Sequence, residues 1–231
     1  MYFLRKTASS AGNNCYYIRA MKIIARIISY IFHPLLFPTY GLLLLLATNP
    51  NRFGPFGDKL QIVWLIIVFS LTFLFPAVWL LMMKRLEMID SLNLETTKER
   101  IVPFIATATF YLWTTWMFKN NVHLKIPTDK LIFYMMLGSC FTIFMALVIN
   151  IFMKISLHSM GAGNLLGIIL PLIRISTYDL RFLFVALILV AGIIGASRLI
   201  LKAHTEREIF TGYIVGFTGQ FVAFTIIPQF F

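Results

Sequence analysis

Seven stretches without a charged residue occupy most of this chain, at 27–51, 60–83, 101–118, 131–153, 155–173, 182–197 and 209–231. A helix that crosses the hydrocarbon core of a bilayer needs about 20 apolar residues, with a range of roughly 17–25. Most of the stretches reach that length alone, and 182–197 does so once Leu199 and Leu201 are added. Only 13% of the residues are charged and mean hydropathy is +0.84, whereas a soluble domain carries about 25% charged residues. A soluble fold with one core is therefore excluded. The expected fold is an all-α, polytopic membrane helix bundle with six to seven transmembrane helices.

The connectors carry turn chemistry. Asn49, Pro50, Asn51, Gly54 and Pro55 make a tight polar turn, and 119–130, with Pro127, reads as a loop. The longest charged segment is 84–100. No internal repeat is visible, so inverted-repeat transporter folds gain no support. Residues 1–20 lack the apolar core and cleavage site of a signal peptide, and Met21, followed by Lys22 and Arg26, is an equally natural start. Residues 1–21 are thus expected as a disordered tail, and 22–231 as a single transmembrane domain.

Charge is uneven, with 20 Lys and Arg against 9 Asp and Glu, formally +11. In a membrane protein such an excess orients loops and attracts anionic lipid or phosphorylated substrates. Nucleic acid is a poor partner, because the basic residues are scattered singly between apolar spans. Cys15 and Cys140 form no metal-ligand or redox pattern. With seven crossings, the N-terminus and segments 84–100, 154–159 and 198–208 share one membrane face. That face holds 13 basic residues and the other holds 7, so the positive-inside rule places it in the cytoplasm. The expected location is the cell (inner) membrane.

Three clusters on that face hold polar groups beside the membrane core, where such groups are expensive and usually purposeful. They are Glu95 to Pro103, with Lys98, Glu99 and Arg100; Lys154 to Gly163, with Ser156 and His158; and Ser197 to Gly212, with Arg198, His204 and Glu208. His204 and Glu208 sit four residues apart, so on a helix the carboxylate reaches an imidazole N–H and leaves the other ring nitrogen free. Arg198 can meet them only if the chain bends near 202–205. Thr205 with Glu208 also reads as a capping box, and capping alone is the plainer role for Glu208. Ser156 and His158 open a span whose helix N-terminus suits an anion, although such a pair can simply satisfy backbone groups there. Gly161, Ala162 and Gly163 permit close helix approach. Two histidines, several cations and one carboxylate are the composition that phosphoryl transfer needs.

The third cluster resembles the S-R-x5-H-x3-D signature of the type-2 phosphatidic acid phosphatase superfamily, which also includes vanadium haloperoxidases. Here it reads Ser197-Arg198-LILKA-His204-TER-Glu208, with Glu in place of Asp and Gly212 four residues on. The P-S-G-H signature appears as Ile155-Ser156-Leu157-His158, matching at Ser and His. The K-x6-R-P signature has its residue types, compressed, in Lys98, Arg100 and Pro103; Lys154 is the alternative lysine. The resemblance covers about residues 98–220. It implies a membrane-embedded phosphatase of a lipid phosphate or pyrophosphate monoester, working without a metal or other cofactor. His204 would be the nucleophile, Glu208 its orienting partner and His158 the general acid. Arg198, Lys98, Arg100, Ser156 and Lys154 would hold the phosphate.

The implied partners are the bilayer and a phosphorylated lipid, with no obligate protein partner. Two other classes stand beside this one: an inactive lipid-binding or structural protein of the same fold, and a transporter, which the lack of mid-span charges disfavours. A metal site from His158, His204 and Glu208 lacks the usual ligand spacing. His33, in the His33-Pro34 pair at a kinked span opening, is expected as an interfacial histidine, and His123 receives no role.

Overall fold

The computed structural model describes residues 2–89, 97–119, 129–176 and 178–226, with side chains described from Tyr17 onward except that of Lys98. Every regular element among the described residues is helical. Helix α1 (Tyr2–Ile31) ends at a break, followed by a 3-10 turn (Pro34–Leu36) and α2 (Phe37–Thr48). A polar corner with the single turn α3 (Pro50–Phe53) leads to α4 (Asp58–Phe69), a π-turn at Ser70–Leu74 and α5 (Phe75–Arg85). Then come α6 (Thr97–Lys119), α7 (Lys130–Phe152), α8 (Leu157–Ile175), α9 (Arg181–Ile200) and α10 (Glu206–Thr225).

Six segments are long and apolar enough to cross a membrane: Tyr17–Thr48, Asp58–Arg85, Glu99–Lys119, Lys130–Phe152, Leu157–Ile175 and Arg181–Ile200. The last helix, α10, is 20 residues long but carries Glu206, Arg207 and Glu208 in its first turn and Gln220 further along, which dilute its apolar character. It nonetheless packs along α8 and runs parallel to it, with Gly212 beside Ser156 at one end and Phe217 beside Gly167 further on. The protein is an all-α membrane helix bundle.

Two expectations need correction. Residues 2–20, read as a disordered tail, continue α1 as helix; the stretch contains no proline to interrupt it. The 27–51 stretch is two helices rather than one. Pro34 and Pro38 lack the N–H groups that would carry α1 onward, the His33 ring accepts the Leu35 N–H at 3.4 Å, and the Tyr40 hydroxyl donates to the Ile31 carbonyl at 2.6 Å, pinning the bend.

The core explains how the chain ends are brought together. Gly163 and Gly167 on α8 face Gly212 and Gly216 on α10, and a Cβ at any of them would run into backbone of the other helix. Small residues spaced four apart let membrane helices approach this closely, and van der Waals contact then replaces the hydrophobic drive that lipid cannot supply. Gln220, fully buried on α10, donates to the Met135 carbonyl and the Ser139 hydroxyl of α7, both at 2.8 Å. At the opposite end, Arg52 bridges to Asp129 at 2.6 Å, and Asp129 caps α7 by accepting the Leu131 N–H.

Candidate functional site

The site grows out of the turn between α9 and α10. The last carbonyls of α9 are closed by a Schellman arrangement: the Ala203 N–H reaches the Arg198 carbonyl at 3.0 Å and the Lys202 N–H reaches the Leu199 carbonyl at 2.9 Å. Lys202 takes the left-handed conformation this needs, with φ +54°. That reversal is the bend between Arg198 and His204. Thr205 then caps α10, accepting the Glu208 N–H while its own N–H reaches the Glu208 carboxylate, each at 3.4 Å.

Glu208 does two jobs at once. The oxygen that receives the Thr205 N–H also takes the Nδ1 proton of His204, at 2.6 Å. With Nδ1–H committed to the carboxylate, Nε2 of His204 keeps its lone pair. The His204 side chain is only 5% exposed. Burial lowers its pKa from the usual 6.5, the Glu208 hydrogen bond pulls it up, and the neighbouring Arg100 and Arg198 charges lower it further. The net shift is downward, which keeps the imidazole neutral at physiological pH.

Arg100 arrives from the first turns of α6 and is 9% exposed; it donates to the Ile155 carbonyl at 3.2 Å. It sits close enough to act electrostatically on Glu208, His204 and Arg198. Asn150 donates to the Thr97 carbonyl at 2.8 Å and fastens that end of α6 to α7. Arg198 donates through Nη1 to the Ser29 hydroxyl at 3.0 Å, while its buried Nε has no hydrogen-bond partner. No carboxylate pairs with it among the described residues. Here a guanidinium with an orphaned N–H lies beside a second arginine and an imidazole with a free lone pair.

The second cluster is divided by the structure. Ser156 is fully buried and caps α8, its oxygen taking the Ser159 N–H at 3.4 Å and the Ser159 hydroxyl at 3.0 Å. Its own N–H donates to the Glu208 carbonyl at 3.3 Å, which locks the start of α8 to the start of α10. Ser156 thus positions the site through the backbone rather than presenting a free hydroxyl. His158 reaches the Ser29 carbonyl from Nε2 at 3.1 Å; a carbonyl only accepts, so Nε2 carries the hydrogen. Its ionisable neighbours are Arg198, His33 and His204. Lys154 is half-buried at the α7–α8 turn and joins none of these bonds. Lys98 lies on the first turn of α6, its side chain outside the described residues.

Two further residues belong here: Ser29, which the sequence did not reveal, and His33, which it reads as interfacial. Ser29, in the last turn of α1, contacts both His158 and Arg198. His33, just past the break, packs edge-on against His158 with ring centroids 6.4 Å apart, and against Phe73 at 5.9 Å. The paired prolines beside His33 were the available signal. Ser29 gave none, because a serine donating to the carbonyl four residues back, as it does to Ala25 at 2.8 Å, is ordinary in an apolar helix.

Beside Leu157 and Gly161 a cleft of about 40 Å³ opens between α2, α6, α7 and α8, with Phe37, Phe104, Tyr111 and Met160 on its walls. Among the described residues no three His, Cys, Asp or Glu side chains gather as metal ligands; His158 turns to Ser29 instead of joining His204 and Glu208. No family model, curated protein or solved structure matches this chain.

Proposed function

We infer that the protein is a membrane-embedded phosphatase acting on a phosphate monoester of a lipid alcohol. The observation that carries this reading is the half-buried Arg198, whose buried Nε–H has no partner and which no carboxylate meets among the described residues, set beside Arg100 and the His204–Glu208 pair. A half-buried cation without a counter-ion is costly, and an incoming anion with several acceptor oxygens relieves that cost. The resemblance of residues 98–220 to the type-2 phosphatidic acid phosphatase superfamily supports the same chemistry.

In this reading Nε2 of His204 attacks phosphorus as the bond to the lipid oxygen breaks, giving a phosphohistidine. Glu208 holds the Nδ1 proton and stabilises the positive charge that develops on the ring. His158, as the imidazolium once the phosphate anion is beside it, gives its Nε2 proton to the departing alkoxide and becomes neutral, then takes a proton from the water that attacks phosphorus in the second step. Orthophosphate leaves and His204 returns to its neutral form. Arg198 and Arg100 balance the charge on the phosphoryl oxygens through both steps.

The test is orthophosphate release from a panel of lipid monophosphates and pyrophosphates in detergent. Wild type is expected to hydrolyse at least one member, with vanadate inhibiting, and His204→Ala to lose the activity while still inserting and folding. Equal release by His204→Ala removes this role from the residue. Absence of release from every substrate, with tight lipid binding, would favour an inactive lipid-binding protein.

A further inference from the structure

The last turn of α1 supplies two oxygens of one residue to the two groups that the proposed reaction needs most. The Ser29 carbonyl meets Nε2 of His158 at 3.1 Å, and the Ser29 hydroxyl meets Nη1 of Arg198 at 3.0 Å. These are the bonds that two oxygens of a bound phosphate would make. The end of a helix also carries the negative pole of its dipole, spread over carbonyls that have no partner within the helix. Among those of α1, the Ile31 carbonyl is taken by Tyr40 and the Ser29 carbonyl by His158. The α1 terminus therefore stands in the cationic site as an uncharged substitute for an anion.

This terminus is also weakly held. From Tyr17 to Ile31 only Ala25 is buried, while Tyr17, Met21, Ile24, Ile27 and Ile31 are each at least half exposed. The chain breaks immediately afterwards at His33 and Pro34, so α1 is a separate helix from α2, and a shift of α1 must carry along or release the Tyr40–Ile31 hydrogen bond.

We propose that the last turn of α1 is a displaceable cap: Ser29 holds His158 and Arg198 until the phosphate of a lipid substrate exchanges for it and takes over both bonds. The cap rests on the phosphatase reading above. It gives the half-buried Arg198 and His158 hydrogen-bond partners before substrate arrives, and it makes α1 the element that moves when substrate enters. His33, which packs edge-on against His158 beside the break, moves with the hinge.

The experiment is calorimetric titration of orthovanadate, a phosphate analogue, into the full chain in detergent. Wild type, Ser29→Ala and Arg198→Ala are compared. Removing the hydroxyl frees Arg198 of its competitor, so Ser29→Ala is expected to bind vanadate about tenfold tighter, and Arg198→Ala at least about tenfold weaker. If Arg198→Ala weakens binding but Ser29→Ala binds equally or less tightly, Ser29 is only a structural support and the cap is overturned while the phosphatase reading survives. If Arg198→Ala binds as wild type does, the anion site is elsewhere and both fail. A second measurement keeps Ser29 intact: spin labels at Lys22→Cys and Arg207→Cys, both exposed, in a background with Cys15 and Cys140 replaced by Ser. Saturating vanadate is expected to lengthen or broaden the distance distribution; an unchanged distribution overturns the cap.

Discussion

Helices α8 and α10 meet backbone to backbone, whereas α1 meets the end of α9 along one narrow face. The first contact runs through four glycines whose Cβ positions are already filled by the partner helix, and it is closed by the Ser156–Glu208 backbone bond. The second rests on Ala25, the half-buried Ile28 and the Ser29–Arg198 bond. His204, Glu208 and the start of α8 are fixed by the first contact. The residue that occupies His158 and Arg198 is carried by the second. The proposed reacting centre thus sits on a closely packed helix pair, and its proposed cover on a sparsely packed helix.

The comparison breaks if the two contacts tolerate insult equally. Gly216→Leu is expected to cost about 3 kcal/mol or more, because the new side chain starts inside the Met160 carbonyl. Ile28→Ala, at a half-buried position on α1, should cost about 1 kcal/mol. Thermal unfolding in detergent measures both, and similar losses would remove the distinction.

Glu208→Gln separates the two jobs of that residue. Gln can keep the capping box, so stability should change by less than about 1 kcal/mol, but it cannot stabilise an imidazolium, and kcat should fall about 100-fold. Unchanged kcat would reduce Glu208 to a cap.

The pH profile sharpens the same point. His204 must be neutral to attack, and its pKa lies below 6.5, so kcat/KM should hold down through pH 6.5 and fall only in more acid solution. Glu208 raises that pKa by its hydrogen bond; Glu208→Gln should therefore move the acid limb lower still. A limb above 6.5 in wild type would contradict the burial argument. The same depression means that the unfolded chain takes up the proton first, so stability conferred by burying a neutral His204 is present above pH 6.5 and lost as pH falls towards the folded pKa.

The smallest expected effect is at the turn itself. Lys202 holds a left-handed conformation that glycine adopts without strain. Lys202→Gly should raise stability by about 0.5 kcal/mol, the relief of strain being partly offset by a more flexible unfolded chain. A loss above about 1 kcal/mol would show that the Lys202 side chain is itself needed.

What could be read from the residues depended on whether the interaction was local. His204 and Glu208 lie four apart, and the bend that lets Arg198 approach follows from helix geometry, so their meeting was legible; so was the double reading of Glu208, both halves of which occur together. The uncharged stretches located the spans because a bilayer fixes helix length. Ser29 was hidden because its partners are far along the chain: His158 lies 129 residues from it, and Arg198 lies 169 from it. The resemblance gives Ser156 to the phosphate, yet its position at the helix start lets it cap α8 and bond across to α10, and that is where its hydroxyl and N–H go.

The central proposal is that His204 is the nucleophile, and trapping the intermediate tests it most directly. The full chain in detergent is mixed with a lipid phosphate labelled in its phosphoryl group, quenched in alkali within milliseconds, and the protein is assayed for label that acid removes, as a phosphohistidine requires. Wild type is expected to carry such label at a stoichiometry approaching one, His158→Ala to accumulate any that it forms because its second step is slowed, and His204→Ala to carry none. Label that persists in His204→Ala, or rapid turnover by wild type with no labelled protein at any quench time, would contradict it.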